Sequence, residues 1–330
     1  MIFHLFLNSL IVFCVLAFFV ELTIFVFQIR EARIRYWCRS LPILKLPFDL
    51  LFFIFFDEGL ITNLNPFSCQ VFTYEFITSL FPVVHQAGDH IIIPAYIASY
   101  IHPTLFNFIV GAITVIAIGA IARKIILFAL SRSYLNKVFR SSQPCYREIQ
   151  NDQLSFALKQ SKTVLLTSTE VDIPFAADHR YIFLPEVLMQ ELCQDEYESV
   201  VAHELEHLRW RDPAFKLINS LACALFWWVP TDWLMKRLEG DQEQASDSSI
   251  LKYGLHANAL AGALMKVIKR AKYLKCPIAA VCPLDSPKVS HVDRLEALLN
   301  LKNGGSRIKK VVSLLGMVVA IFVCLCFWIC

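Results

Sequence analysis

The chain has 330 residues, of which 56% are hydrophobic and 18% charged, with 27 Phe, a mean hydropathy of +0.53 and a formal net charge of +3. Soluble globular domains contain roughly 45–50% apolar and about 25% charged residues. The composition therefore excludes a disordered chain, a small disulfide scaffold and a nucleic-acid binder built on a basic field, and it indicates that part of the chain lies in a membrane.

Four apolar segments are long enough for membrane helices, which need about 20 mostly apolar residues. They are 2–28, 43–62, 104–122 and 311–330. Lys and Arg concentrate at the cytoplasmic ends of such helices. They follow the first and third segments, and none lies between residues 46 and 122. The sequence therefore predicts four spans and a periplasmic segment at 63–103. The first and third spans both end on the cytoplasmic side. For 43–62 an interfacial hairpin stays open as the alternative to a crossing.

The predicted domains follow from this topology: an N-terminal membrane region at 1–122, a cytoplasmic domain at 123–310 and a C-terminal membrane helix at 311–330. Within the cytoplasmic domain, 162–172 and 181–185 have the composition of short strands. The apolar stretch 214–234 has basic residues on both sides, so it is expected to pack on other helices or dip into the inner leaflet without crossing.

A short motif in the predicted cytoplasmic domain has the residue types and spacing of a metal-binding site. His203-Glu204-Leu205-Glu206-His207 lies in a run without Gly or Pro that is expected to be helical. Residues four apart share one face of a helix, so both imidazoles reach one Zn²⁺ while Glu204 lies beside them as general base. The alternative is a surface helix with two solvated histidines.

A third ligand is needed, because catalytic zinc uses three protein ligands and keeps one position open. The predicted helix 232–253 offers Glu239, Glu243 and Asp247 at successive i+4 positions, again on one face. Spacing alone does not choose among them.

The block 164–251 resembles the BlaR/MecR-type membrane metallopeptidases, whose protease domains are gluzincins. The matching pieces are Val-Ala-His-Glu-Leu-Glu-His at 201–207 followed by Asp212, Trp-Trp-Val-Pro-Thr-Asp-Trp at 227–233, and Asp-Gln-Glu-Gln-Ala-Ser-Asp at 241–247. The resemblance implies an α-helical multi-pass membrane protein with an embedded α+β gluzincin-like zinc metalloprotease domain.

The same resemblance implies roles for individual residues. Glu243 is the third zinc ligand, with Glu239 as the alternative, and Asp247 is an outer carboxylate that holds a histidine. Asp212 belongs to the surroundings of the metal, and Arg294 supports the site unless it forms a solvent salt bridge. Two further expectations are that Ser246, where relatives often have a small thiol residue, touches no ligand, and that strand 181–185 either binds substrate along an open edge or is core sheet.

The expected function is zinc-dependent endopeptidase activity at the cytoplasmic face of the bacterial inner membrane. Zn²⁺ activates the attacking water and Glu204 moves its proton. The substrate is a cytoplasmic or membrane-proximal protein, such as a transcriptional repressor. Membrane lipid is an expected partner, and nucleic acid is not expected to be bound directly. The sequence leaves open whether the protein forms a homodimer.

Two other functions are compatible with the sequence. One is an HtpX-like membrane quality-control protease, and the other is a non-catalytic signalling scaffold with a vestigial zinc site. The penicillin-binding sensor domain that antibiotic-sensing relatives carry after their last span is expected to be absent, so β-lactam sensing is not carried over.

Overall fold

The computed structural model describes residues 2–56, 103–271, 291–299 and 315–322. This part of the chain is mostly helical and contains one small sheet. Its helices are α1 (Ile2–Val26), α2 (Ala32–Phe56), α3 (Pro103–Ser141), α4 (Asp152–Ser161), α5 (Glu186–Glu191), α6 (Gln194–Arg209), α7 (Asp212–Leu225), α8 (Asp232–Ser249), α9 (Ala257–Ala271), α10 (His291–Leu299) and α11 (315–322). Its strands are β1 (Gln143–Pro144), β2 (Val164–Ser168), β3 (Phe175–Ala177) and β4 (Tyr181–Pro185).

Two of the described helices are long and apolar enough to cross a membrane, over Ser9–Val26 in α1 and Thr114–Ser141 in α3. The first agrees with the predicted span 2–28. The second lies in α3, which contains the predicted span 104–122 and continues past Arg123 and Lys124 to Ser141. Apolar residues resume immediately after this basic pair, and no Gly or Pro follows to end the helix. The predicted domain boundary at residue 122 thus falls inside a continuous helix.

Other membrane predictions lie partly or wholly outside the described residues. The predicted span 43–62 coincides with the second half of α2 only as far as Phe56, and this helix begins earlier, at Ala32. The segment 63–103 is described only at Pro103, and 311–330 only at 315–322. The number of spans therefore stays a prediction.

The sheet has the strand order β1-β2-β4-β3. β4 runs parallel to β2 and antiparallel to β3, with Leu165 opposite Ile182 and Ala176 opposite Ile182 on its two sides. The predicted strand 181–185 is therefore a central strand, so of its two expected roles the core sheet agrees with the structure and the open substrate-binding edge does not. The predicted strand 162–172 is shorter than expected, because the chain leaves the sheet after Ser168. Alternation of side chains indicates a strand but says nothing about its neighbours.

The end of α3 is packed against this sheet. Phe139 packs edge to face against Tyr181 and Phe183, with ring centroids 4.7 and 4.9 Å apart. Val138 is completely buried in the same cluster, beside Phe175. The long apolar helix and the sheet are thus joined through an aromatic core.

Helix α6 passes through the largest hydrophobic cluster of the described chain. Its apolar residues Tyr197, Val201, Leu205 and Leu208 recur at the spacing of one helical face and pack with β4, α4 and α9. The opposite face is buried as well, since every residue from 197 to 208 is buried. Glu196 accepts a hydrogen bond from the backbone N–H of Cys193 at 2.9 Å, which caps the start of the helix.

The predicted single helix 214–234 is two helices. α7 ends at Leu225, and a turn follows in which the N–H of Val229 donates to the carbonyl of Phe226 at 2.9 Å. Pro230 lacks an N–H and disfavours a helical conformation at Val229, so the chain leaves the helix before α8 begins at Asp232. Phe226 and Val229 are buried against α1 and α2, which accounts for the apolar composition of the turn.

Candidate metal centre

Two histidines of α6 face the same point. His203 and His207 are buried, and their Nε2 atoms are 3.1 Å apart. Two imidazole nitrogens approach this closely when both are oriented toward a common position. The i, i+4 spacing of the motif produces this arrangement directly, because it places both side chains on one helical face.

Glu243 of α8 completes the group. Its carboxylate oxygens lie 3.6 Å from Nε2 of His203 and 3.9 Å from Nε2 of His207. Within the described chain, His203, His207 and Glu243 are the three residues whose ligand atoms all lie within 4.8 Å of one another. The alternative ligand Glu239 is not in this group; its carboxylate lies 4.0 Å from Nζ of Lys216.

These distances fit a zinc ion. Zinc binds imidazole nitrogen at about 2.0–2.1 Å and carboxylate oxygen at about 2.0–2.2 Å, so two of its tetrahedral ligand atoms are about 3.4 Å apart. The three separations of 3.1, 3.6 and 3.9 Å lie on either side of that value. Two histidines and one glutamate are also a donor set that catalytic zinc sites use, with one position left open.

Glu204 lies beside the histidines and is completely buried. Neither of its carboxylate oxygens has a hydrogen-bond partner among the described residues. Burial raises the pKa of this carboxyl group, although the two neighbouring histidines act in the opposite direction. An unpaired buried carboxylate is costly to a folded protein, and such groups concentrate at functional sites.

Each candidate histidine ligand has a carboxylate behind it. Nδ1 of His203 lies 2.9 Å from Oδ1 of Asp247, and Nδ1 of His207 lies 2.8 Å from Oδ2 of Asp212. Burial opposes the charged imidazolium of His207, but the hydrogen bond with Asp212 and the nearby Glu243 outweigh it and raise its pKa to about 9. Carboxylates in this position orient the ring and leave Nε2 free for a metal.

A tight turn brings Asp212 back to His207. α6 ends at Arg209, and Arg211 adopts a left-handed conformation with φ of 54°. Asp212 then begins α7 only five residues after His207. Its buried side chain turns toward the imidazole.

Arg294 of α10 binds two acidic residues of α8, Asp247 and Glu243. Its Nε and one terminal nitrogen donate to the two oxygens of Asp247 at 3.0 and 2.7 Å. The other terminal nitrogen lies 3.0 Å from Oε2 of Glu243. Burial raises the pKa of Asp247, but Arg294 and His203 outweigh it and hold that pKa well below its usual range. The alternative of a solvent salt bridge does not apply, since Arg294 is buried.

The structure thus brings together every residue predicted for the site: Glu204, His203, His207, Glu243, Asp247, Asp212 and Arg294. The expectation for Ser246 is wrong, because its Oγ lies 3.4 Å from Nδ1 of His207. Glu206, in the middle of the motif, accepts a hydrogen bond from Tyr253 and pairs with Lys252, so it binds residues other than the histidines.

One residue at the site was missed by the sequence reasoning. Arg33 contacts Asp212, with 3.2 Å between a terminal nitrogen and Oδ1. The arginines after residue 28 also indicate the orientation of the first span, so their presence in the sequence does not by itself point to the metal centre. Nothing local connects residue 33 with residue 212.

Comparison with known proteins agrees with this geometry. A family model described as BlaR1 peptidase M56 matches residues 85–298, which is more than half of the chain and includes all seven predicted site residues. The methicillin resistance mecR1 proteins of Staphylococcus aureus (strain Mu50 / ATCC 700699) and Staphylococcus epidermidis are each 26% identical over 127 residues. These alignments span 38% of this chain and 20% of the length of each relative. The resemblance inferred from the motifs is confirmed: the chain belongs to the BlaR1 peptidase M56 family, whose members are metallopeptidases.

Proposed function

We propose that this protein is a zinc-dependent endopeptidase of the cell membrane that cleaves a cytoplasmic or membrane-proximal protein. The observation that carries the proposal is the meeting of His203, His207 and Glu243 at one point, with the unpaired Glu204 beside them. A structural zinc site has no use for an additional buried carboxylate. This argues against the scaffold with a vestigial site.

The protein's residues divide the work of peptide hydrolysis. His203, His207 and Glu243 would hold the metal, and a zinc ion there would polarise the scissile carbonyl and lower the pKa of the attacking water toward about 7. Glu204 accepts the proton of that water and returns it to the leaving amine. Its raised pKa suits both steps, because a general base works best when its pKa approaches the operating pH.

The proposed fold is a gluzincin-like α+β domain embedded in a multi-pass membrane protein. The geometry also bears on the side of the membrane. Arg33, Arg35 and Arg39 follow the first apolar helix, and they contact residues of α7 and α8. The metal centre therefore lies close to the arginine-rich segment that follows α1. Basic residues accumulate on the cytoplasmic side, which supports a cytoplasmic active site.

The substrate class follows from that location. A soluble repressor and the cytoplasmic tail of a membrane protein both reach a site there, and we favour regulatory cleavage of a repressor. The alternative function is quality-control proteolysis, as in HtpX-like proteases. Because the chain matches one fifth of the mecR1 proteins, a role in methicillin resistance is not transferred to it.

Glu204→Gln tests the catalytic assignment. We expect the variant, purified as the full chain in lipid nanodiscs, to keep one zinc per chain and to lose at least about a thousandfold in cleavage of a protein substrate, because amide oxygen is a very weak base. Zinc is measured by elemental analysis and cleavage on gels, including self-cleavage. Glu186→Gln, an exposed site, is the matched control. Cleavage at the wild-type rate by the Glu204→Gln variant, or wild-type protein without zinc, contradicts the proposal.

The membrane side is tested by thiol labelling. Cys193 is exposed and lies immediately before α6, the helix that carries His203 and His207. Its labelling therefore shows on which side of the membrane the metal centre lies. We expect an impermeant maleimide to label it in inverted vesicles and not in intact cells. Cys193→Ser provides the control band. Labelling of Cys193 from outside intact cells overturns the cytoplasmic placement.

A further inference from the structure

Arg33 lies near the start of α2, shortly after the end of the first apolar helix. Its guanidinium is 3.2 Å from Oδ1 of Asp212, and both side chains are largely buried, at 12% and 3% exposed. It also lies over the ring of Trp210, 4.3 Å from the centroid. The guanidinium therefore has an aromatic face and a carboxylate to fix its position.

Asp212 uses its two oxygens for two partners. Oδ1 faces Arg33, and Oδ2 faces Nδ1 of His207 at 2.8 Å. A carboxylate with only one partner is free to rotate about its terminal bond, whereas one held at both oxygens is not. The ion pair with Arg33 thus sets the orientation of the oxygen that orients His207.

Helix α2 is itself fixed to the helix that carries Glu243. Arg35 donates to Asp241 at 2.8 Å and also bonds Gln244, and Arg39 donates to the other oxygen of Asp241 at 2.5 Å. Arg39 in addition binds Glu21 of α1 at 2.8 Å. Asp241 and Gln244 flank Glu243 on α8. The position of Arg33 relative to the metal ligands is therefore determined by three neighbouring contacts.

We propose that Arg33 is a positioning residue of the metal centre: it holds Asp212, and through Asp212 it orients His207, so that the membrane-proximal helix α2 contributes to zinc affinity. The inference rests on the proposed zinc peptidase function. It adds that the metal centre is incomplete without a residue of α2, a helix that precedes the matched peptidase region. A shift of α2 against α7 weakens the hold on zinc.

The test measures zinc affinity of the full chain in nanodiscs, by competition with a fluorescent chelator and without any substrate. Removing an outer partner of a metal ligand costs about 10–100-fold in affinity, and Arg33 is one contact farther out, so Arg33→Gln is expected to cost about 3–10-fold. Arg33→Lys, which keeps the charge but loses the planar fork, is expected to recover part of the loss. Arg30→Gln, at an exposed arginine of the same segment, is the matched control with no change.

A double-variant cycle separates positioning from general stability. If Arg33 acts through Asp212, then Arg33→Gln produces no additional loss in the Asp212→Asn background. The kinetic readout agrees when kcat falls and KM does not, because Arg33 touches no substrate. Thermal unfolding of the zinc-free proteins identifies a variant that is merely unstable, and Arg33→Lys then carries the measurement.

Failure of this inference can be distinguished from failure of the proposed function. Unchanged zinc affinity in Arg33→Gln, or additive losses in the double variant, overturns the positioning role while leaving the peptidase assignment intact. A wild-type protein that binds zinc but cleaves nothing overturns the peptidase, and the affinity cycle still decides the role of Arg33. A wild-type protein that binds no zinc overturns both.

Discussion

The two histidines of the metal centre have matching supports in different regions of the molecule. On the His203 side, Asp247 is bound by Arg294 through two hydrogen bonds, and the same guanidinium reaches Glu243. On the His207 side, Asp212 is bound by Arg33 through one contact. The first support belongs to the helices around α8, and the second belongs to α2. One histidine is thus held by the metallopeptidase domain itself and the other by the membrane-proximal region.

The difference indicates which histidine of the metal centre is held less firmly. Arg294 is almost inaccessible and has two carboxylate partners, so it cannot leave without exposing a buried charge. Arg33 is somewhat more exposed and uses a single nitrogen, so its contact breaks at lower cost. We expect the His203 side to determine whether the centre forms, and the His207 side to tune it.

The largest effect is expected for Asp247→Ala. The change removes the carboxylate behind His203 and leaves Arg294 with Glu243 alone, so zinc affinity falls about 100-fold and the zinc-free protein loses about 3 kcal/mol of unfolding free energy. Zinc competition and denaturant unfolding provide the two measurements. Asp195→Ala, at an exposed acid of α6, is the control and should cost less than about 1 kcal/mol. Native-like stability of the Asp247→Ala variant argues that Arg294 is not held as described.

A smaller effect is expected for Asp212→Asn. The amide keeps a hydrogen-bond acceptor for Nδ1 of His207 but loses the charge that attracts Arg33, so zinc affinity falls about 10-fold. Unfolding free energy should change by less than about 2 kcal/mol, because Arg33 retains contact with solvent and Trp210. The same two measurements apply. If Asp212→Asn loses more zinc affinity than Asp247→Ala, the ranking of the two supports is reversed.

The site was more predictable from the sequence than the fold around it. His203, Glu204 and His207 follow from helical spacing, because that geometry is local to four residues. Glu243, Asp247, Asp212 and Arg294 came from motif resemblance, which identifies residues without giving their contacts. Arg33 carries no such signal, since its partner is 179 positions away.

The fold predictions failed where pairing or local backbone chemistry decided the outcome. Residues 181–185 have the composition of a strand, but only the structure shows β2 and β3 on its two sides. The apolar composition of 214–234 masked the turn at Pro230, because buried turns and buried helices use similar residues. In α3, the basic pair at Arg123 and Lys124 marks the predicted end of the membrane span but not the end of the helix, because neither residue stops a helix.

The length of α3 has a mechanical consequence. Its 39 residues rise about 1.5 Å each, giving about 58 Å, whereas the hydrocarbon core of a bilayer is about 30 Å thick. Roughly half of the helix must project beyond the lipid if it spans, and its far end is fixed by Phe139 to the aromatic cluster of the sheet. Because the helix is continuous, no flexible segment separates its membrane part from the sheet. A tilt or axial shift of α3 in the bilayer would therefore move the sheet with it.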